Sequence, residues 1–387
     1  HGGGYTAGTG NTYDGSKLAA DGRTVVVTIN YRLHLLGFLG HPAFQKEDKL
    51  FGNYATLDTI WALKWVRANI AKFGGSPDNV TVGGQSAGAN ATAALVISPL
   101  AKGLFHRAIF QSSASLSTGI PLASAQEKAV AFSVAAGCGS GADKTTASCL
   151  RALPIEKIMQ LSGTQQASGP YGTAGMIDGL IVPSGGSSAF ENGKFNRMPI
   201  MVGGTQDEGT FFLGYPLYWS GRPITEQDVI SFVTRSYGGN AGPGGTLPRY
   251  PDGTPERILN KYAASAYANA TLRQGAIQTD AFVCRIQHVT HLLAGKVPLY
   301  AFEFQDRTAP FYFPEMPDFK PLASHTSDIQ YLFPGWHGGS EGIPRELNAQ
   351  QKRLSDRLVR AWTNFAWSGN PNSNKNYFHN NRLMMYV

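Results

Sequence analysis

The chain has 387 residues, of which 42% are hydrophobic and 15% are charged, and its formal net charge is +7 at pH 7. This length and apolar content support one large folded domain or two ordinary ones with a sizeable core, and they argue against a disordered chain. The Lys and Arg residues are scattered rather than clustered, which argues against nucleic-acid binding, and no apolar stretch is long enough to cross a bilayer.

The chain opens with the string HGGGY at His1–Tyr5. A loop of this type donates backbone N–H groups to a substrate oxyanion, because its three glycines let the backbone approach the substrate closely. A β-branched run at Arg23–Arg32 then predicts a buried strand. The apolar spacing over Leu57–Phe73 predicts a helix that packs on the sheet.

A GxSxG string at Gly84–Gly88 follows directly on an apolar run that ends at Gly83. The Ala-rich segment Ala89–Val96 after it predicts a helix. This context is typical of a nucleophile elbow, in which a tight strand-to-helix turn exposes the serine hydroxyl. The string therefore predicts that Ser86 is a nucleophile, with the alternative that it is a purely structural turn.

The rest of the chain continues the alternation of strands and helices. Strands are predicted at Arg107–Ser112, 199–203 and Val297–Phe304, and a closing helix at Gln351–Trp367. Such alternation is typical of a doubly wound α/β fold, with active residues at the carboxyl ends of parallel strands. We expect a single domain over residues 1–387, with insertions at about 114–197 and 210–295.

A serine nucleophile needs a histidine base, and the base needs an acid that orients it. In α/β-hydrolases the acid and then the histidine follow the serine along the chain, each after a strand. The acidic pair Asp207-Glu208 follows the strand that ends near residue 203, and the order alone does not decide between the two. His325 follows the last predicted strand and is preferred over four other histidines, His288, His291, His337 and His379.

The chain has three cysteines. Cys138 and Cys149 flank a Gly-rich loop that a disulfide could close, and two free thiols are the alternative. The cysteines have neither CxxC spacing nor a histidine partner, which argues against a metal site.

Several long strings resemble the type B carboxylesterases, which are cholinesterase-like α/β-hydrolases. They are HGGGYTAG at His1–Gly8, NYR at Asn30–Arg32, GNYATLD at Gly52–Asp58, ALKWVRANIAKFGGSPDNVTVGGQSAG at Ala62–Gly88, SPLAKGLFHRAIFQS at Ser98–Ser112, DEGT at Asp207–Thr210 and the HxxD pattern that begins at His325. The resemblance covers nearly the whole chain and implies an α/β-hydrolase fold.

The resemblance also implies the roles of individual residues. It implies a Ser86–His325–Glu208 triad that hydrolyses esters through an acyl-enzyme without a cofactor. It implies an oxyanion hole formed by the backbone N–H groups of Gly3, Gly4 and Ala87. It further implies a disulfide between Cys138 and Cys149, which favours an oxidising compartment, and we therefore expect a secreted or periplasmic protein.

Two departures from the family pattern refine these expectations. Gln85 stands where cholinesterases carry a glutamate, so we expect a neutral, fairly hydrophobic ester as substrate rather than a cationic one. Family members carry a segment before HGGG, so we expect the chain to be incomplete at its N-terminus. Two alternatives remain open, an interfacial lipase of the same family and a non-catalytic binding protein, and the sequence predicts no oligomeric state.

Tyr5, Leu116, Phe211, Phe212 and Phe311 are candidates for the lining of a substrate pocket, with the plain hydrophobic core as the alternative.

Overall fold

The computed structural model describes most of the chain. It covers residues 1–112, 119–162, 171, 175–238, 250–316, 318–339, 342–372 and the backbone of Arg382–Tyr386. None of the helices within these ranges has both the length and the apolar composition needed to span a membrane.

The strands of the described residues form one large sheet and one small one. In chain order they are β1 (Thr24–Thr28), β2 (Val80–Gln85), β3 (Arg107–Gln111), β4 (Ile120–Pro121), β5 (Met176–Ile177), β6 (Ile200–Thr205), β7 (Leu299–Phe304) and β8 (Arg382–Tyr386). The large sheet has the spatial order β1-β8-β2-β3-β6-β7, and every neighbouring pair in it is parallel. β4 and β5 form a separate parallel pair.

Helices connect these strands, as a parallel sheet requires. They are α1 (Ser16–Gly22), α2 (His34–Phe38), α3 (Pro42–Glu47), α4 (Tyr54–Asn69), α5 (Ala87–Ile97), α6 (Leu122–Ala135), α7 (Lys144–Arg151), α8 (Ile155–Ser162), α9 (Gly186–Glu191), α10 (Phe211–Ser220), α11 (Glu226–Tyr237), α12 (Thr254–Lys261), α13 (Ala270–Leu293), α14 (Ile329–Leu332) and α15 (Ala349–Ser368). Short 3₁₀ helices lie at Gly10–Thr12, Ile70–Phe73, Pro99–Ala101, Glu208–Thr210 and Ala264–Ala266.

The large sheet is covered by helices on both faces. Successive side chains of a strand point to opposite faces, so Ala108 and Phe110 of β3 pack in the cluster that contains α4 and α5. Ile109 between them packs in the cluster that contains α1 and α15. All-parallel sheets with helices on both faces are typical of α/β proteins. This arrangement therefore confirms the predicted α/β class with a parallel sheet.

A disulfide joins Cys138, which follows the end of α6, to Cys149 of α7, and their Cα atoms are 5.5 Å apart. Phe132 and Leu150 of these helices pack with Phe44 of α3 and Phe51 in a hydrophobic cluster of their own. The bridge therefore lies outside the two clusters that cover the large sheet.

Strand β8 was not predicted from the sequence. It lies between β1 and β2, so that Tyr386 is aligned with Thr28 on one side and with Gly83 on the other. The run that forms it is short. Its pairing joins positions far apart in the chain, which a local pattern does not encode.

Candidate active site

Ser86 occupies a sharp turn between β2 and α5. Its backbone has φ 58° and ψ −121°, a conformation that non-glycine residues rarely adopt. The turn is held on both sides, because the Ser86 N–H donates to the Gln111 carbonyl at 2.9 Å and the Ser86 carbonyl accepts from the N–H of Ala89 at 3.0 Å. Ser86 is partly exposed whereas its two neighbours are buried, so the strained turn displays the hydroxyl.

The two candidate acids after β6 have different partners. Asp207 accepts two hydrogen bonds from the Arg307 guanidinium, from Nε at 2.9 Å and from Nη2 at 2.8 Å. Glu208 is fully buried, and its Oε2 lies 2.5 Å from His325 Nδ1. Its other oxygen accepts from the Thr205 N–H at 2.8 Å, which fixes the carboxylate. The structure therefore brings Glu208, rather than Asp207, to the histidine.

Asp207 holds the loop that carries His325. The Asp207 N–H donates to the Ala323 carbonyl at 2.9 Å, and the Ala323 N–H donates to Asp207 Oδ2 at 3.2 Å. Asp207 and Ser324 also form an isolated parallel bridge. The acid at the end of β6 and the histidine after β7 are thus fixed to each other by backbone contacts.

The second ring nitrogen of His325 faces Gln85. His325 Nε2 lies 3.2 Å from Gln85 Nε2. In the tautomer that carries its proton on Nδ1, the Nδ1–H group donates a hydrogen bond to Glu208. Nε2 is then an acceptor, and the Gln85 amide donates to it. No hydrogen bond between Ser86 Oγ and His325 Nε2 is formed within the described part of the chain, and contacts of this kind often tighten only when substrate binds.

Three phenylalanine rings surround the imidazole of His325, which is only 2% exposed. The ring centres of Phe211, Phe212 and Phe282 lie 5.5, 5.1 and 5.2 Å from it. Of the other candidate lining residues, Tyr5 belongs to the buried core, Phe311 packs on Tyr312, and Leu116 lies outside the described residues.

The HGGG loop lies against the serine turn. A Cβ atom added to Gly2 would lie 2.8 Å from the Gln85 carbonyl oxygen and 3.1 Å from Ser86 Cβ, so only glycine fits there. Gly3 and Gly4 have positive φ values of 94° and 62°. The N–H groups of both, and that of Ala87, have no acceptor among the residues that the structure describes.

Two tyrosines fix this loop from beneath. The Tyr31 hydroxyl donates to the His1 carbonyl at 2.6 Å. The phenol ring of Tyr31 also stacks on the imidazole ring of His1, with the ring centres 4.5 Å apart. The Gly2 N–H donates to the Tyr13 hydroxyl at 3.4 Å. Neither role was predicted from the sequence, although Tyr31 belongs to the NYR string. Burial lowers the pKa of His1.

Two further polar residues at the site were also not predicted from the sequence. The Gln111 side chain, at the end of β3, donates from Nε2 to Asp328 Oδ2 at 2.7 Å. Both belong to strings that support the family resemblance, FQS for Gln111 and HxxD for Asp328, and that was the only available signal. Over the described ranges, no group of three or more His, Cys, Asp or Glu residues is arranged to hold a metal ion.

A sequence model described as "Carboxylesterase family" matches residues 1–383. The chain belongs to the carboxylesterase family. This membership confirms the resemblance noted above and the α/β-hydrolase class that the resemblance implied.

The chain is similar to several curated carboxylesterase-family proteins. It is 33% identical to "Fatty acyl-CoA hydrolase precursor, medium chain" of Anas platyrhynchos, over 96% of this chain and 64% of that protein. It is 29% identical to "Cocaine esterase" of Homo sapiens, over 96% of this chain and 64% of that protein. It is 31% identical to "Liver carboxylesterase 1" of Mus musculus, over 96% and 65% respectively. The chain thus spans somewhat less than two thirds of the length of these relatives.

Proposed function

We propose that this chain is a serine carboxylesterase that hydrolyses neutral, fairly hydrophobic esters through a triad of Ser86, His325 and Glu208. The observation that carries the proposal is the 2.5 Å contact between the fully buried Glu208 and His325 Nδ1, beside the strained turn of Ser86. In a member of the carboxylesterase family, a buried acid, a histidine and a displayed serine at the ends of strands support acyl transfer.

The first half of the reaction forms an acyl-enzyme. Ser86 Oγ attacks the ester carbonyl carbon while His325 Nε2 takes the hydroxyl proton, and Glu208 stabilises the imidazolium that results. The negative charge on the carbonyl oxygen is stabilised by the N–H groups of Gly3, Gly4 and Ala87. When the C–O bond to the alcohol breaks, His325 returns the proton to the leaving oxygen.

The second half regenerates the enzyme. Water gives a proton to His325 and attacks the acyl carbon, and the carboxylic acid leaves as Ser86 Oγ regains its proton. Each cycle consumes one ester and one water and needs no cofactor. Because Gln85 Nε2 contacts the same nitrogen of His325, the Ser86 hydroxyl must displace that contact before attack.

The surroundings of the site support a neutral substrate with an apolar group. Phe211, Phe212 and Phe282 present rings around His325 and favour hydrocarbon over charge. Gln85 adds no negative charge that would attract a cationic alcohol group. The disulfide between Cys138 and Cys149 supports the further proposal that the protein is secreted or periplasmic.

A fluorophosphonate probe tests the enzyme proposal, since it reacts only with an activated serine. We expect one adduct per chain, located at Ser86 by peptide mass analysis, and none in Ser86→Ala. Hydrolysis of p-nitrophenyl butyrate should exceed that of butyrylthiocholine in kcat/KM. A folded wild-type chain that takes no adduct at Ser86 would exclude the enzyme and favour a non-catalytic binding protein.

A further inference from the structure

Asp328 is a second buried carboxylate close to His325, and the proposed triad does not use it. Its residue is only 2% exposed, and Oδ2 accepts from Gln111 Nε2 at 2.7 Å. Oδ1 has no hydrogen-bond partner among the described residues, and no Lys or Arg in those ranges forms an ion pair with the carboxylate. Its charge, when present, is therefore not paired with a described Lys or Arg.

Gln111 connects this carboxylate to the serine turn. The Gln111 carbonyl accepts the Ser86 N–H at 2.9 Å, while its side-chain amide is bound to Asp328. Gln85 and Gln111 are aligned in the pairing of β2 with β3, so their side chains lie on the same face of the sheet. Gln85 contacts His325 Nε2 from this face. Through Gln111, Asp328 is thus connected to the Ser86 turn next to His325.

Several charged and titratable groups face Asp328 from the elements around it. Glu208 at the end of β6, His325 on the same loop and Tyr13 beneath the HGGG loop all interact with it electrostatically. Glu303 and Asp306 at the end of β7 and Arg357 of α15 line a neighbouring cavity of about 440 Å³ together with Asp328.

The carboxylate of Asp328 titrates in an unusual range. Burial is the main cause that raises the pKa of Asp328 to about 6, and the charge of Glu208 adds to it, while the Gln111 hydrogen bond and His325 oppose it. Asp328 is therefore ionised at pH 8 and protonated at pH 5. Burial, and to a smaller extent the charge of Asp328, raise the pKa of Tyr13 to about 12.

We propose that Asp328 is a positioning residue for the ester hydrolysis proposed above, on which this inference rests. Its carboxylate holds Gln111 against the Ser86 turn and places a second negative charge near His325, in addition to that of Glu208. The charge stabilises the imidazolium that forms as Ser86 attacks, because the carboxylate is buried and forms no ion pair with a described Lys or Arg. Protonation of Asp328 removes this stabilisation.

Asp328→Asn tests the proposal, because the amide keeps the shape and can still accept from Gln111. The measurement is kcat and KM for p-nitrophenyl butyrate between pH 5 and 8, for wild type and variant. At pH 8 we expect kcat of the variant to be lower by about tenfold with KM unchanged, as for the loss of one partly screened charge. At pH 5 the two values of kcat should converge, because wild-type Asp328 is then neutral as well.

Asp306→Asn is the matched control. Asp306 is also an acid near the end of β7, and it accepts the Tyr331 hydroxyl at 2.7 Å and the Thr308 N–H at 2.9 Å. Any loss of kcat in this variant should be the same at pH 5 and pH 8. The ratio of the wild-type kcat to the Asp328→Asn kcat is the deciding quantity. If this ratio also stays constant between pH 5 and 8, the proposal is overturned, because a purely structural residue behaves in that way.

The wild-type pH profile gives a second readout that depends on no variant. If Asp328 contributes its charge, kcat should fall between pH 7 and 5 more steeply than a single ionisation allows. A profile described by one ionisation would contradict the proposal even if Asp328→Asn failed to fold. If wild type neither turns over ester nor takes the fluorophosphonate, the esterase function itself fails and this inference fails with it.

Discussion

Two adjacent acids, Asp207 and Glu208, do different work because they face different partners. Glu208 contacts His325 in a fully buried position, whereas Asp207 holds Arg307 and the backbone of the histidine loop. Glu208→Gln should lower kcat by about 10³–10⁴-fold with little change in KM, because the amide cannot hold the imidazole in the required tautomer. Steady-state kinetics at pH 8 measure this.

The neighbouring variant Asp207→Asn is the control for that prediction. It removes an ion pair whose arginine side chain is 55% exposed, so we expect the free energy of unfolding to fall by only about 1 kcal/mol. We expect kcat to fall far less than in Glu208→Gln. A larger loss of kcat in Asp207→Asn than in Glu208→Gln would show that the acid had been assigned to the wrong residue.

Asp328 should lower the stability of the folded chain at neutral pH. Its pKa rises from 3.8 unfolded to about 6 folded, so above pH 6 the folded state carries a charge that the unfolded state holds more easily. Asp328→Asn removes this cost and should raise the free energy of unfolding at pH 8 by up to about 3 kcal/mol. The gain should shrink between pH 6 and 4 and be absent below pH 4.

Urea unfolding of wild type and Asp328→Asn at pH 8 and pH 4 measures this gain. A variant that is less stable than wild type at pH 8 would mean that the buried carboxylate contributes favourably to the fold. Together with the kinetics, the expected result describes a residue that increases activity at the expense of stability.

At the scale of elements, the HGGG loop depends on close approach to the serine turn. A methyl group at Gly2 would collide with the Gln85 carbonyl and with Ser86 Cβ, so it must move the loop. Gly2→Ala should therefore lower kcat by about 10²-fold, similar to the loss of one oxyanion donor. The thermal midpoint should fall as well, because Gly2 is buried and His1 and Tyr5 of the same loop are buried with it.

Gly221→Ala is the matched control for the loop. Gly221 has φ 61° after α10, and an added Cβ would meet no atom within 4 Å. We expect about 1 kcal/mol of lost stability from backbone strain and no change in kcat. If Gly2→Ala retained full activity, the loop would not need its close contact with Ser86.

At the scale of the whole molecule, the disulfide stabilises a layer that is separate from the proposed reaction. Replacing Cys138 and Cys149 together by serine should lower the free energy of unfolding by about 3 kcal/mol, as expected for a loop of this length. The kcat at 25 °C should be unchanged, because the bridge packs in the cluster of α6 and α7. Thermal unfolding with and without reductant measures the effect.

Cys284→Ser is the control for the disulfide variant, since Cys284 is exposed and free. It should leave the thermal midpoint unchanged, whether or not reductant is present. An equal shift for Cys284→Ser and for the double variant would mean that thiol chemistry rather than the cross-link accounts for the change.

The sequence by itself determined the class of fold and the type of turn at Ser86. Alternating strands and helices, the GxSxG string and the HGGG string are local patterns, set by neighbours along the chain. The structure confirmed the parallel sheet, with boundaries that differ by a few residues: the predicted strand Arg23–Arg32 is shorter, at Thr24–Thr28.

Which polar groups meet is decided by the tertiary structure and not by local sequence patterns. Glu208 and His325 are 117 positions apart, and Gln111 and Asp328 are 217 positions apart, so neither contact has a local signal. The choice between Asp207 and Glu208 could be inferred from family resemblance, but the packing of Arg307 gives its physical reason. The central place of β8 is also non-local. Residues that must be brought together across the sheet are decided by the fold, because chain neighbours carry no information on such distant partners.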